Sequence, residues 1–230
     1  MNRASFANIS ACVFDAYGTL FDVHSAVQRG GQALGEQAQS VSALWRQKQL
    51  EYAWLSDAMG VHLDLWETTT RALDFALASF AINDAELRTR LLDLYMTLAA
   101  YPEARGAIAA LRAAGMSTAI LSNGSPKMVL AAVESAGLGS VFDAVWSVEK
   151  VGVHKPAPAA YEIAVTGLQV PAERICFVSS NGWDIAGAAH FGFAACWCNR
   201  LGLQEDKLPA GPDAEIASLK ELPKLLGVAS

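Results

Sequence analysis

Short apolar runs recur along the chain, and the stretches between them carry apolar residues at helical spacing. The run Cys12-Val13-Phe14 predicts a buried strand that ends on Asp15 and a turn at Gly18-Thr19. Runs of the same kind at Ser117–Leu121, Ala144–Ser147, Ile175–Ser179 and Phe193–Cys198 predict further strands, and Ala214–Ile216 a last short one. Helical patterns fall between them at Ala104–Ala114, Lys127–Ala136, Pro158–Gly167 and Ile185–Phe191, with Leu219–Leu226 closing the chain. Strand and helix in alternation predict an α/β fold with a doubly wound parallel sheet.

One stretch breaks the alternation. From Asp22 to Ala100 the spacing is helical throughout and no strand pattern appears, which predicts a helical cap inserted after the first strand. The expected division is a catalytic core of residues 1–21 and 101–230, with 22–100 as the cap. Within the cap, residues from Leu44 to Met59 project two apolar faces. Leu44, Trp45, Tyr52, Leu55 and Met59 lie on one, and Arg46, Leu50, Ala53 and Trp54 on the other. A helix apolar on two sides is sandwiched, so Arg46 is expected in a cleft or interface. The alternative is an exposed arginine lying over Leu50 and Trp54.

Polar residues gather at three strand ends, at Asp15, at Ser122-Asn123-Gly124 and at Ser179-Ser180-Asn181-Gly182-Trp183-Asp184, with Lys155-Pro156 between the last two. In an open parallel sheet, ligands bind beyond the carboxyl ends of the strands, so these residues can converge although they are distant in sequence. Each alone has an ordinary reading: Asp and Gly are common turn residues, and a strand-end Ser often caps a helix.

Together they resemble the haloacid dehalogenase superfamily. The segments Asp15-Ala-Tyr17-Gly-Thr19-Leu-Phe, Trp45 to Tyr52, Leu121-Ser122-Asn123-Gly124 and Ser179 to Asp184 are similar to its type II (S)-2-haloacid dehalogenases. The resemblance implies that Asp15 is a carboxylate nucleophile with Thr19 as a supporting hydroxyl. It implies a halide site at Arg46 and Asn123, a carboxylate grip at Ser122, and a Lys155 that pairs with Asp15 and is oriented by Asp184. Ser179, Asn181 and Asp184 are expected to place the hydrolytic water, and Tyr161 to orient its neighbours, with plain packing as its alternative. Tyr17, Gln47, Leu50, Leu65 and Trp183 are expected to wall the substrate. The family often carries an aromatic residue where Leu65 stands, which leaves substrate range open.

Phosphatases of the superfamily place a second aspartate two residues after the nucleophile, as an acid for the leaving alcohol and a support for magnesium. Here that residue is Tyr17. A departing halide needs no proton, so the expected reaction is hydrolytic dehalogenation with no metal and no cofactor. A magnesium-dependent phosphatase and a catalytically silent binding protein are the competing readings.

With 53% apolar and 17% charged residues, the chain has material for one core plus an accessory lobe. Its net charge of −6 argues against nucleic-acid binding and leaves attraction of an anionic substrate to local cations. No apolar run approaches the roughly 20 residues of a membrane span, and Met1 to Ser10 lacks a signal-peptide core, so a cytoplasmic location is expected. Cys12, Cys176, Cys196 and Cys198 all fall in expected strands and read as small core residues. His24, His62, His154 and His190 show no ligand spacing, and His154 reads as a loop residue exposed near the site. The cap helix and the resemblance point to a homodimer, with burial against the cap's own helices as the alternative.

Overall fold

The computed structural model describes residues 6–228. The first five residues and the last two, which the expected boundaries 1–21 and 101–230 include and on which the reading of the N-terminus partly rests, lie outside the described residues. The strands are β1 (Ala11–Phe14), β2 (Ser117–Ser122), β3 (Ala144–Ser147), β4 (Ile175–Ser179), β5 (Ala194–Cys198) and β6 (Ala214–Ile216). They form one sheet in the order β3-β2-β1-β4-β5-β6, with every pairing parallel.

Alternate residues of these strands serve opposite faces of the sheet, and both faces are apolar. Cys12, Phe14, Ile120, Cys176, Val178 and Cys196 join the core on one side, while Val13, Ala119, Leu121, Phe177, Ala195 and Trp197 join the core on the other. A sheet covered on both sides needs continuous hydrophobic strands, which is why the runs read as unbroken in sequence. All four cysteines are free and fully buried among these packed residues.

The helices are α1 (Ser25–Gly30), α2 (Ala38–Ala58), α3 (Leu65–Ser79), α4 (Ala85–Met96), α5 (Ala104–Ala113), α6 (Pro126–Ser135), α7 (Pro158–Leu168), α8 (Gly182–Phe191) and α9 (Leu222–Leu225). Five of them lie between β1 and β2, the first four within residues 22–100 and α5 just before β2. The chain leaves and rejoins the core side by side, through a bridge between Phe21 and Ala100 and backbone bonds from Asp22 to Ala99 and from Tyr101 to Leu20. Inside the insertion α2 packs along α3, where the Trp45 indole donates to the Thr69 carbonyl at 2.8 Å and Asp64 caps α3 by accepting from the Glu67 amide.

Two expectations change. The two-sided burial of α2 holds for Trp45 and Ala53 but not towards its C-terminus, where Leu55 is 56% and Met59 73% exposed. And α8 starts at Gly182 rather than Ile185, so Trp183 and Asp184 lie on a helix instead of in a loop. Asn181 takes the extended cap conformation, and an acidic residue in the first turn suits the positive end of a helix.

Candidate active site

Asp15 follows directly on β1, the strand from which the chain runs to β2 on one side and later to β4 on the other. This reversal of strand order is where an open α/β sheet leaves a crevice. The Asp15 amide donates to Val178 at 2.9 Å, and Gly18 at φ +93° turns the following loop, its amide bonded to the Phe21 carbonyl. The Asp15 side chain is 4% exposed.

Both carboxylate oxygens of Asp15 are held. Lys155 Nζ donates to Oδ1 at 2.9 Å, while Thr19 Oγ1 and Asn181 Nδ2 each donate to Oδ2 at 2.8 Å and Ser179 Oγ lies 3.5 Å from it. Lys155 also donates to Asp184 Oδ2 at 2.7 Å and to the Leu121 carbonyl at 3.0 Å, which uses all three ammonium donors. Asp184 Oδ1 in turn accepts from the Tyr161 hydroxyl at 2.8 Å. The result is a buried chain of contacts Asp15–Lys155–Asp184–Tyr161.

Burial alone would lower the Lys155 pKa, but the charges of Asp15 and Asp184 outweigh it and the ammonium is raised above its ordinary value. Burial pushes Asp184 up to about 6 against the pull of Lys155. Burial, with Asp184 beside it, holds the Tyr161 phenol far above its ordinary range, so this hydroxyl stays a donor.

Arg46, on α2, reaches the same place from the insertion. Its Nη2 lies 3.3 Å from Asn181 Oδ1 and 3.4 Å from the Tyr17 carbonyl. Tyr17 is buried, its ring stacked on Tyr95 with centroids 6.0 Å apart, and its hydroxyl has no hydrogen-bond partner among the described residues. Burial raises its pKa well above the ordinary phenol value. Gly124 allows this close fit, since a Cβ there would lie 2.6 Å from the Tyr17 ring.

Ser122 closes β2 fully buried, with Oγ accepting from the Gly124 amide at 3.0 Å. Asn123 binds the backbone of Lys155, accepting from its amide at 2.8 Å and lying 3.4 Å from its carbonyl through Nδ2. Leu65 is buried at the start of α3, and Leu50 is half-buried on α2. Trp183 meets Trp54 edge-to-face at 5.1 Å, beside a cleft of about 420 Å³ that Pro156 and His154 also line. Gln47 stands apart from the Asp15 cluster: it is exposed and donates to Glu51 at 2.6 Å. A cleft of about 660 Å³ on the insertion, lined by Val27, Gln39, Ala43 and Leu201 among others, contains no residue of the Asp15 cluster.

A model of the haloacid dehalogenase-like hydrolases matches residues 9–192. The chain is 47% identical over 219 residues to (S)-2-haloacid dehalogenase 1 of Pseudomonas sp. (strain CBS-3), covering 95% of this chain and 96% of that protein. The chain belongs to the haloacid dehalogenase-like hydrolases, in the (S)-2-haloacid dehalogenase group. Solved structures of the group superpose closely. One, described as a dehalogenase, has a TM-score of 0.94 at 42% identity, covering 96% of this chain and 98% of its own. An L-2-haloacid dehalogenase from Xanthobacter autotrophicus with chloropropionic acid covalently bound has a TM-score of 0.89 at 36% identity, covering 96% of this chain and all of its own (100%).

Within this dehalogenase fold, three contributors went unread in the sequence. Gln49 is fully buried and accepts from Arg46 Nη1 at 2.7 Å. Its spacing of three residues from Arg46 on one helix was the available signal. Trp54 donates to the Lys155 carbonyl at 3.0 Å. Arg200 donates to the Thr19 carbonyl, the Ser180 hydroxyl and Glu103, and lies 3.8 Å over the Tyr101 ring. Its one cue was a place just beyond a strand end.

His154 corrects an expectation. It is 1% exposed, with its amide and Nδ1 both bonded to Asp57 at the end of α2, because the insertion covers the loop that carries it. The histidines show no ligand spacing in sequence, but the fold brings donor atoms of Asp57, His62 and His154 within 4.8 Å of one another.

Proposed function

We propose that the chain hydrolyses short (S)-2-haloalkanoic acids to (R)-2-hydroxyalkanoic acids through an aspartyl ester on Asp15, with inversion at C2 and no metal. The observation that carries this reading is the set of donors on Asp15. Lys155 on one oxygen and Thr19 with Asn181 on the other fix the carboxylate plane. An oriented carboxylate can attack C2 in line as the carbon–halogen bond breaks and the halide leaves with the electron pair. Whichever oxygen forms the ester, the other keeps a donor for the negative charge that builds when water adds to the ester carbonyl.

Arg46, beside Asn181, supplies the positive charge on which the halide leaves, with Asn123 as its helper. Ser122 and nearby amides hold the substrate carboxylate, and Tyr17, Leu50, Leu65 and Trp183 shape the space around C2. Ser179, Asn181 and Asp184 position the water, and Tyr161 fixes Asp184. Tyr17 stands where a phosphatase needs a second carboxylate, and a phenol with a raised pKa makes a poor acid and a poor ligand for magnesium. The covalently bound chloropropionic acid in the Xanthobacter relative supports the ester route.

In this reading residues 22–100 act as a cap over the core formed by 1–21 and 101–230, and the enzyme works in the cytoplasm as a homodimer. The exposed Leu55, Met59 and Phe75 offer apolar surface for a second copy to cover. Light scattering at low micromolar concentration tests that assembly, and a monomer mass removes it. Single turnover of (S)-2-chloropropionate in oxygen-18 water tests the chemistry. Label is expected in the Asp15 carboxylate, and label confined to the product overturns the ester.

A further inference from the structure

Outside the reacting cluster, one group of side chains joins the insertion to the core without any part in the chemistry above. Asp57 ends α2, His62 follows it in the loop before α3, Glu149 lies just after β3, and His154 precedes Lys155. Asp57 Oδ1 and His62 Nδ1 are 3.2 Å apart, His62 Nε2 is 3.2 Å from Glu149, and His154 Nδ1 is 2.9 Å from Asp57 Oδ2. The two imidazoles stack with centroids 4.9 Å apart.

We propose that Asp57, His62 and His154, with Glu149 at the rim, bind a divalent transition-metal ion of the zinc class and that the ion fastens the cap to the core. Ligands about 2.0–2.2 Å from a tetrahedral zinc stand roughly 3.3 Å from one another; His62 and His154 lie 3.2 and 2.9 Å from the two Asp57 oxygens, and one donor atom from each of the three residues lies within 4.8 Å of the others, so the side chains must draw together to hold an ion. Two imidazoles with one or two carboxylates suit zinc, cobalt and nickel better than magnesium or calcium, which prefer oxygen alone. The His154 side chain is fully buried, and its Nε2 has no partner among the described residues. The nitrogen that faces Asp57 is Nδ1, at 2.9 Å from Oδ2, and it is the atom that would coordinate, exchanging its hydrogen bond to Asp57 for a bond to the ion. His62 and Asp57 are only partly buried, which leaves the ion a route from solvent.

The consequence is inhibition rather than catalysis. His154 adjoins Lys155, and Trp54, three residues before Asp57, donates to the Lys155 carbonyl. An ion tying Asp57 and His62 to His154 holds the cap against the core at the residue that grips Asp15. If substrate and product pass when the cap lifts, the bound ion slows turnover.

Cobalt(II) titration followed by visible absorption, with displacement by zinc, reads the site without any substrate. Expected is one saturable ion per chain, bound by nitrogen and oxygen with no thiolate charge-transfer band, and weakened in His62→Gln by more than the roughly 10–100-fold that losing an outer partner costs. Glu149→Gln, on a partly exposed side chain, gives a second variant with a smaller loss. Zinc should slow halide release by the wild type, reversibly with chelator, and leave His62→Gln unaffected. Binding that is absent, carries a thiolate band or is unchanged in both variants overturns the proposal. Because the spectrum needs no haloacid, its failure is separate from any failure of the dehalogenase reading.

Discussion

Gln49 Oε1 accepts from Arg46 Nη1 at 2.7 Å and from the Tyr95 hydroxyl at 3.1 Å. One buried amide oxygen thus ties the arginine beside the Asp15 cluster to the aromatic stack beneath Tyr17. The amide nitrogen is anchored in turn on Thr69 of α3.

Replacing Gln49 by Leu keeps the volume and removes both ends of this link. The Tyr95 hydroxyl and one Arg46 nitrogen lose their acceptor in a buried place, at a cost of about 1–3 kcal/mol each way it is counted. Halide release is expected to fall in kcat more than it rises in KM, because Arg46 remains present but is no longer aimed. Urea unfolding and steady-state kinetics on the one variant check both parts, and an unchanged kcat would remove Gln49 from the site.

The Asp15–Lys155–Asp184 arrangement predicts non-additive variants. Lys155→Met leaves two buried carboxylates facing each other, and losing one partner of a buried ion pair costs about 3–5 kcal/mol. Adding Asp184→Asn should recover part of that stability while activity stays abolished. A thermal-unfolding cycle over the single and double variants checks it, and simple additivity would contradict the coupling that the 2.7 and 2.9 Å contacts imply.

Asp184 gives stability and activity opposite responses to pH. Its carboxyl is raised by burial to about 6, above the ordinary value near 3.9, so the folded chain holds this proton more tightly than the unfolded one. The stabilisation from that group is fully present below about pH 4 and is lost as pH rises through about 6. Activity runs the other way, since the ionised carboxylate is the partner that fixes Lys155. An acid limb in kcat centred near pH 6 is expected, with a protonated-carboxyl band in infrared difference spectra that Asp184→Asn abolishes. A kcat flat across that range contradicts it.

Gly187 faces Tyr161 at a point where no side chain fits. A Cβ there would lie 2.5 Å from the Tyr161 oxygen and 2.6 Å from Pro156. Gly187→Ala must move the tyrosine that holds Asp184 or the loop that holds Lys155, and overpacking of this kind costs about 1–3 kcal/mol. Lower kcat with unchanged KM is expected, along with a lower melting temperature. A fully active Gly187→Ala would mean that Tyr161 is there for packing alone.

The sheet was legible because it is buried on both faces. The bounds of β3, β4 and β6 follow the apolar runs Ala144–Ser147, Ile175–Ser179 and Ala214–Ile216, and Asp15, Ser122 and Ser179 stand at strand ends as expected. What escaped were links between distant segments. His154 to Asp57 and Arg200 to Glu103 each span 97 residues, and no local pattern marks either end. The start of α8 escaped for another reason: Gly182-Trp183-Asp184 has turn-like composition, and only the cap conformation of Asn181 commits it to a helix.

The position of β1 at the middle of the sheet has a consequence for how the enzyme is made. Ala11 pairs with Ser117 on one side and Ile175 on the other, so the strand behind Asp15 has no neighbour from its own part of the chain. Asp15 and Lys155 are separated by 140 residues. At a synthesis rate of roughly 5–20 residues per second, the nascent aspartate waits on the order of ten seconds for its lysine, while α1 to α4 have already left the ribosome. Closing so long a loop is entropically costly, so the helical insertion is expected to gather first and the Asp15–Lys155 cluster last. A truncated or stalled chain would then hold a folded helical insertion beside an aspartate that has not yet met its lysine.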